Sequence, residues 1–427
     1  MWSNSIVALL VCACAFSGQA RQPPNVAFVE KYFGIDSSGH SRFSDNVFED
    51  ALLDVPDLIR KYGYPLETHE VVTEDGYILE MHRIPHGRDQ NNQPDPNKPV
   101  VIVMHGLLCS SADFVIMGPG TALGYILAEA GYDVWLGNAR GNFYSRRHLT
   151  LDPNDRRDLS FWNFSWDEIG QYDLPAMIDY TLSVTGKSRL HYIGHSQGTV
   201  VFWVMGALRP EYNEKIITMQ AYAPVAYLEF NTNPFFIAIA PHANNLVRLA
   251  NLLGIGSLLS RDEELSANGA GLCADGSDLQ PICTSMLFAI AGYSGDQHNA
   301  TMFPVKLAHS PAGISVKQLA HFGQLINQNF FRRYDHGALG NLRNYGTVTP
   351  PHYDLKKVTA PVFLHYTDPD PFAHIIDAER LWRELGNALA FLRVDPPFSH
   401  VDFTWGQYAK TSVYDRTIDI MNLFGSN

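Results

Sequence analysis

Leu190-His191-Tyr192-Ile193-Gly194-His195-Ser196-Gln197-Gly198-Thr199 is the stretch on which the reading of this chain turns. A short β-prone run, Leu190 to Ile193, passes through Gly194-His195-Ser196-Gln197-Gly198 into a helical pattern from Thr199 to Leu208. Chance alone yields roughly 0.15 to 0.2 G-x-S-x-G matches in a chain this long, so the flanking strand and helix carry the weight. Between such elements the glycines permit a sharp, strained turn that lifts the serine hydroxyl above a sheet. The helix that follows presents unpaired N–H groups and a positive dipole end, where a developing oxyanion is stabilised. The alternative is a glycine-rich strand-to-helix turn with an ordinary serine.

A serine hydroxyl attacks well only when a base takes its proton, and that base needs an orienting carboxylate. With this turn the expected chain order is serine, acid, histidine, the partners standing after later strands. Asp370 lies in Asp368-Pro369-Asp370-Pro371 after the run Val362 to Tyr366, and competes there with Asp368. His400 follows the run Phe391 to Val394 and is the one histidine of the 17 beyond that last strand. Asp402 is near it but on the wrong side of that order. Two backbone donors complete such a site. Gln197 N–H is one, and Leu107, in the turn His105-Gly106-Leu107-Leu108, is the candidate for the other.

Outward from the elbow, apolar runs alternate with helical patterns. Val100 to Met104 is unbroken hydrophobic, as expected for a strand buried on both faces of a parallel sheet. Tyr132 to Leu136 and Met219 to Ala223 are further strand candidates, and Asp167 to Val184 has helical periodicity with Pro175 as a local objection. Glu67 to Ile84 reads as a hairpin around Asp75-Gly76. The alternation implies an α/β fold with an open, mostly parallel sheet. It stops near Pro224 and resumes at Pro361, so residues 225–355 read as a helical insertion upon a core of 21–224 and 356–427. A helix His374 to Leu385 and a closing helix Val413 to Phe424 finish the core.

The 427 residues are 46% hydrophobic and 18% charged, an ordinary globular balance. A formal net charge of −13 without a basic run speaks against nucleic-acid binding. No H-E-x-x-H, no C-x-x-C and no G-x-G-x-x-G after a strand appears, so neither a metal nor a dinucleotide cofactor is expected. Residues 1–20 read as a secretory signal, with the short apolar stretch Ile6 to Phe16 ahead of Gly18-Gln19-Ala20. No later segment reads as a membrane span. Cys12 and Cys14 leave with the signal. Cys273 and Cys283 flank a Gly/Asp-containing loop and are the natural pair in an oxidising compartment, two unpaired buried thiols being the alternative. Cys109 is then a packed free thiol. Asn163-Phe164-Ser165 and Asn299-Ala300-Thr301 are glycosylation sequons.

Long motifs run through the chain: Tyr62-Gly63-Tyr64-Pro65, Glu74-Asp75-Gly76-Tyr77, His105-Gly106-Leu107-Leu108, Gly137-Asn138-Ala139-Arg140-Gly141-Asn142, Phe161-Trp162-Asn163-Phe164-Ser165-Trp166-Asp167-Glu168 and Tyr172-Asp173-Leu174-Pro175-Ala176. With these and the elbow the sequence resembles the acid lipase family, which includes gastric and lysosomal lipases, over nearly all of the chain after the signal. The resemblance implies an α/β-hydrolase core with a helical cap and lid. It gives Ser196, Asp370 and His400 the triad roles, lines the oxyanion hole with Leu107 and Gln197, and matches Cys273–Cys283 to a cap disulfide. It implies a secreted or lysosomal lipase acting on fatty-acid esters, triacylglycerols or sterol esters, at an oil–water or membrane interface. One departure is that Tyr366-Thr367-Asp368-Pro369-Asp370-Pro371-Phe372-Ala373 has two prolines and an extra acid where the family has a glycine-containing turn. A carboxylesterase for soluble esters and a non-catalytic lipid carrier are the competing readings.

Overall fold

The computed structural model describes residues 45–261, 292 and 295–425. The signal at 1–20, Cys273 and Cys283 lie outside the described residues.

One sheet organises the chain. Its strands are β1 (Glu67–Val72), β2 (Tyr77–Ile84), β3 (Val100–Met104), β4 (Asp133–Leu136), β5 (Leu190–His195), β6 (Ile216–Tyr222), β7 (Val362–Tyr366) and β8 (Ala388–Arg393). They stand side by side in the order β1-β2-β4-β3-β5-β6-β7-β8, and a two-residue strand, Arg147–His148, pairs with β2. β1 and β2 form the antiparallel hairpin expected around Asp75-Gly76, with Gly76 in the left-handed region at φ 93°. From β4 onward the pairings are parallel. The unbroken apolar run of β3 is explained by position, since all five of its residues are buried between flanking layers.

Helix α1 (Gln197–Leu208) follows β5 and is buried from Gln197 through Ala207. Val200, Val201, Phe202, Trp203, Val204 and Met205 are fully inaccessible. Each such side chain contributes about 1.5–3 kcal/mol of burial, which is what holds the elbow's helix against the sheet. The segment expected as one helix, Asp167 to Val184, is divided. A short capped turn at Trp166–Glu168 leads into a π-helical turn at Ile169–Asp173, and α2 (Leu174–Thr185) begins only there. Pro175 therefore sits in the first turn of α2, where a missing N–H costs nothing. The π turn lies on α1, and Gly170 permits the approach: a Cβ on it would fall 2.6 Å from Val204 Cβ and 2.7 Å from Val201 O.

Between the adjacent strands β6 and β7 the chain makes a long excursion containing helices Pro234–Ile239, Ala243–Leu252, α3 (Val316–Gln328) and Ala338–Tyr345. Helix Phe303–His309 of this excursion packs on Asp45–Leu52, and its His309 Nε2 donates to Asp50 O at 3.1 Å. The Arg140 side chain joins three parts of the core. It donates to Asp173 at 2.7 Å and to both oxygens of Asp75 at 2.6 and 2.7 Å, and its guanidinium lies 3.8 Å from the Tyr77 ring centroid.

Several histidines are buried as neutral rings. Burial pushes His105 and His191 down to about 4, and His195, His309, His321 and His365 down to about 3. The unfolded chain takes up these protons near the ordinary value of 6.5, so unfolding binds protons and stability falls as pH drops. Burial also raises Asp113 to about 7 and Asp173 to about 6, which acts in the opposite sense, but the histidines prevail by number. Calorimetry should show Tm falling steadily from about pH 6.5 toward pH 4. A flat or rising Tm over that window would contradict the buried neutral rings. Gly170→Val should independently lower stability by about 1–3 kcal/mol through overpacking on α1, read as a reduced denaturant midpoint at unchanged slope.

Candidate active site

Ser196 lies between β5 and α1 with φ 53° and ψ −116°, a conformation an L-residue tolerates only under constraint. The constraint is close packing. A Cβ on Gly194 would fall 2.6 Å from Gly198 O, and one on Gly198 would fall 2.3 Å from Met104 O, so neither position admits a side chain. Ser196 N donates to Tyr222 O at 3.0 Å, and the Thr199 hydroxyl donates to Ser196 O at 2.7 Å while accepting from Val225 N at 3.0 Å. The elbow is thereby tied to β6 and to the start of the excursion.

The three expected side chains meet. His400 Nε2 is 2.8 Å from Ser196 Oγ, and His400 Nδ1 is 3.0 and 2.9 Å from the two oxygens of Asp370. Asp370 Oδ1 also accepts from Phe372 N at 2.8 Å and Ala373 N at 2.9 Å. Burial alone would raise its pKa, but the His400 ring and these two donors overcome that and hold the carboxyl below its ordinary value. Asp368, its competitor, is exposed on the same loop. Asp402 turns elsewhere and accepts from Ser399 N at 2.6 Å. An ionised carboxylate on Nδ1 leaves Nε2 as an acceptor for the hydroxyl proton, the arrangement that makes an alcohol nucleophilic.

The turn after β3 faces the elbow. A Cβ on Gly106 would lie 3.2 Å from both Ser196 Cβ and His195 Nδ1, so the backbone leading to Leu107 passes beside the hydroxyl. Leu107 is half-buried and Gln197, the first residue of α1, is buried. His105 Nε2 accepts from Ala139 N at 3.1 Å, which leaves the proton on Nδ1 to be donated to Gly106 O at 2.8 Å. Leu108 O accepts from Ala312 N at 2.7 Å, so the excursion braces the same turn.

One contributor, a histidine, escapes sequence reasoning. His195 Nε2 donates to His400 O at 2.8 Å, tying the elbow directly to the histidine loop. Its place at the second position of the pentapeptide is a signal only in retrospect, because nothing in the spacing points 205 residues ahead. Phe372 packs on the His400 ring at 4.7 Å and Phe236 on Phe372 at 5.1 Å, which places aromatic surface beside the imidazole. Cys109 is a free, half-buried thiol whose pKa burial pushes well up. Asn163 is exposed and Asn299 half-buried. Among the described residues no group of three or more His, Cys, Asp and Glu is placed to hold a metal.

Residues 99–407 match the family described as alpha/beta hydrolase fold, and residues 55–118 match the partial alpha/beta-hydrolase lipase region. Lipase 1 of Drosophila melanogaster is 43% identical over 378 residues, covering 88% of this chain and 81% of the relative. Gastric triacylglycerol lipase of Bos taurus is 37% identical over 374 residues, covering 87% and 92% respectively. A crystal structure of a candidate lipase from Sulfolobus solfataricus aligns with TM-score 0.51 at 12% identity, over 84% of this chain and 99% of that one, which bears on the fold alone. Sheet order, elbow and sequence identity agree: the chain belongs to the acid lipase family of α/β-hydrolases.

Proposed function

We propose that this carboxylic ester hydrolase cleaves fatty-acid esters, triacylglycerol or sterol ester, with Ser196 as nucleophile, His400 as general base and acid, and Asp370 as orienting carboxylate. The observation that carries the reading is the His400 ring spanning Ser196 Oγ and Asp370 at hydrogen-bond distance on both sides. Ser196 Oγ attacks the ester carbonyl carbon as His400 Nε2 takes its proton. The carbonyl oxygen becomes an oxyanion, received by the N–H groups of Leu107 and Gln197. The C–O bond to the alcohol breaks while His400 returns the proton to the leaving oxygen, and an acyl-enzyme remains. Water, deprotonated by the same nitrogen, then releases the fatty acid and restores Ser196. Because burial holds His105 neutral down to about 4, its Nε2 goes on accepting from Ala139 N in mild acid.

The aromatic surface of Phe236 and Phe372 beside His400 suits a long acyl chain rather than a charged substrate. The relatives that match over most of their length bear lipase names, which supports lipid esters over soluble ones and an oil–water or membrane interface as the place of action. Residues 225–355, which follow β6 and precede β7 in the chain, take the part of cap and lid in this reading, with Cys273–Cys283 as its disulfide. Secretion or delivery to lysosomes, with glycans on Asn163 and Asn299, completes it. No described helix is long and apolar enough to cross a membrane.

An alkyl phosphonate should label Ser196 covalently, and labelling should vanish in Ser196→Ala; a folded wild-type protein that never reacts would favour a lipid carrier. Hydrolysis should rise with acyl length and on emulsified substrate, whereas equal rates on soluble short esters would make the protein a general carboxylesterase. Asp370→Asn should reduce kcat by about 10⁴-fold with Asp368→Asn near wild type, and the reverse ranking would move the acid to Asp368.

A further inference from the structure

Helix α3 belongs to the long excursion, yet its first turn is fastened to the core. Ser315 Oγ donates to Phe164 O, Lys317 Nζ reaches Glu168 Oε1 at 3.0 Å, and His321 Nδ1 meets Ser165 Oγ at 3.0 Å. In the same turn Gln318 extends to the elbow. Its Oε1 accepts from Ser315 N at 2.9 Å, its own N–H donates to Ser315 Oγ at 3.0 Å, and its Nε2 donates to Gln197 Oε1 at 3.2 Å. Both amides are buried, each 2% exposed.

The direction of these bonds is determined chemically. Ser315 N–H is a donor only, so the Gln318 oxygen must face it. The Gln318 NH₂ group therefore faces Gln197, and Gln197 must present its oxygen in return. A capping box needs no more than the acceptor half of the Gln318 amide, since glutamate serves equally at that position. The donor half has a separate task.

We propose that Gln318 is a positioning residue for the oxyanion hole: its NH₂ group holds the Gln197 side chain and so fixes the direction of the Gln197 backbone N–H that leads α1. This inference rests on the reading of Ser196 as nucleophile and deepens it. Gln197 follows directly upon the strained Ser196, where α1 has no preceding turn to fix its orientation. A clamp on its side chain restrains the same residue from the far end. It also makes the oxyanion donor dependent on the seating of α3, because Gln318 reaches Gln197 only while the first turn of α3 is docked on Phe164 to Glu168.

Gln318→Glu separates the two halves of the amide. Glutamate keeps the acceptor for Ser315 N, so the helix cap survives, but as a carboxylate it cannot donate to Gln197 Oε1. On a soluble nitrophenyl butyrate at neutral pH, kcat should fall about tenfold, short of the 10²–10³ lost on removing a donor outright, with KM unchanged. As pH is lowered the carboxyl gains a proton and becomes a donor again, so the ratio of variant to wild-type kcat should climb back toward one. Gln318→Met, which fills the space without donating, should be slow at every pH. A Gln318→Glu ratio near one and flat with pH overturns the proposal. So does a loss confined to KM, or one that follows the unfolded fraction with no acid recovery. If Gln318→Glu does not fold at any pH, Gln318→Met decides alone: wild-type kcat overturns the clamp, and reduced kcat at unchanged KM in a folded protein supports it. Ser196→Ala run alongside keeps the two levels apart. Activity in Ser196→Ala sinks the nucleophile assignment, whereas an inactive Ser196→Ala beside a wild-type-like Gln318→Glu removes only the role of Gln318.

Discussion

Everything in the site is referred to one backbone constraint, the forced turn at Ser196. A φ of 53° costs on the order of 1–3 kcal/mol for a residue with a side chain, and it persists because its surroundings leave no alternative. Gly194 and Gly198 bring backbone segments to distances at which a methyl group would collide, and one on Gly106 would stand only 3.2 Å from Ser196 Cβ. The burial of α1 beneath them is large enough to hold the strain in place. The hydroxyl is thus presented by the ends of β3, β5 and β6 together, and its position is a property of the sheet rather than of a loop.

Around that turn the molecule uses neutral buried imidazoles as rigid connectors. His105 passes a bond from the loop after β4 to the turn after β3, and His195 passes one from the elbow to the loop that carries His400. Burial disfavours a charged ring in either place. His400 differs from them in facing Asp370, whose carboxyl is held below its ordinary value, and in reaching Ser196 Oγ with its other nitrogen. The Arg140–Asp75–Asp173 junction serves a different end. It locks the β1–β2 turn and the π turn to the loop after β4, and so holds the platform from which Ala139 N reaches His105.

Several elements were legible before any coordinates. The hairpin at Asp75-Gly76 and the buried run of β3 follow from turn chemistry and apolar patterning, which are local. Asp370 and His400, singled out by the order serine, acid, histidine, come within hydrogen-bond distance of one another and of Ser196 because parallel strands all end on one side of the sheet, so residues just after β7 and β8 converge with the elbow after β5. The boundary at Ile169–Asp173 was legible only in part: Pro175 stood as an objection to one continuous helix and does sit in the first turn of α2, but periodicity runs through the boundary unbroken, and the π turn lies where Gly170 packs on α1. His195 and Gln318 were silent for a related reason, since their partners are set by docking rather than by spacing.

The amino-acid order by itself determined the α/β architecture, the sharp turn at Ser196 and the family, because these depend on short-range periodicity, on glycine placement and on motifs read in series. Tertiary structure alone decided which of two neighbouring aspartates is buried against the histidine, which nitrogen of His105 and of His195 bears the proton, and which amide group faces the elbow. Those outcomes depend on burial and on the donors and acceptors met across the fold. Such partners are brought together only when the sheet closes and the helices dock upon it.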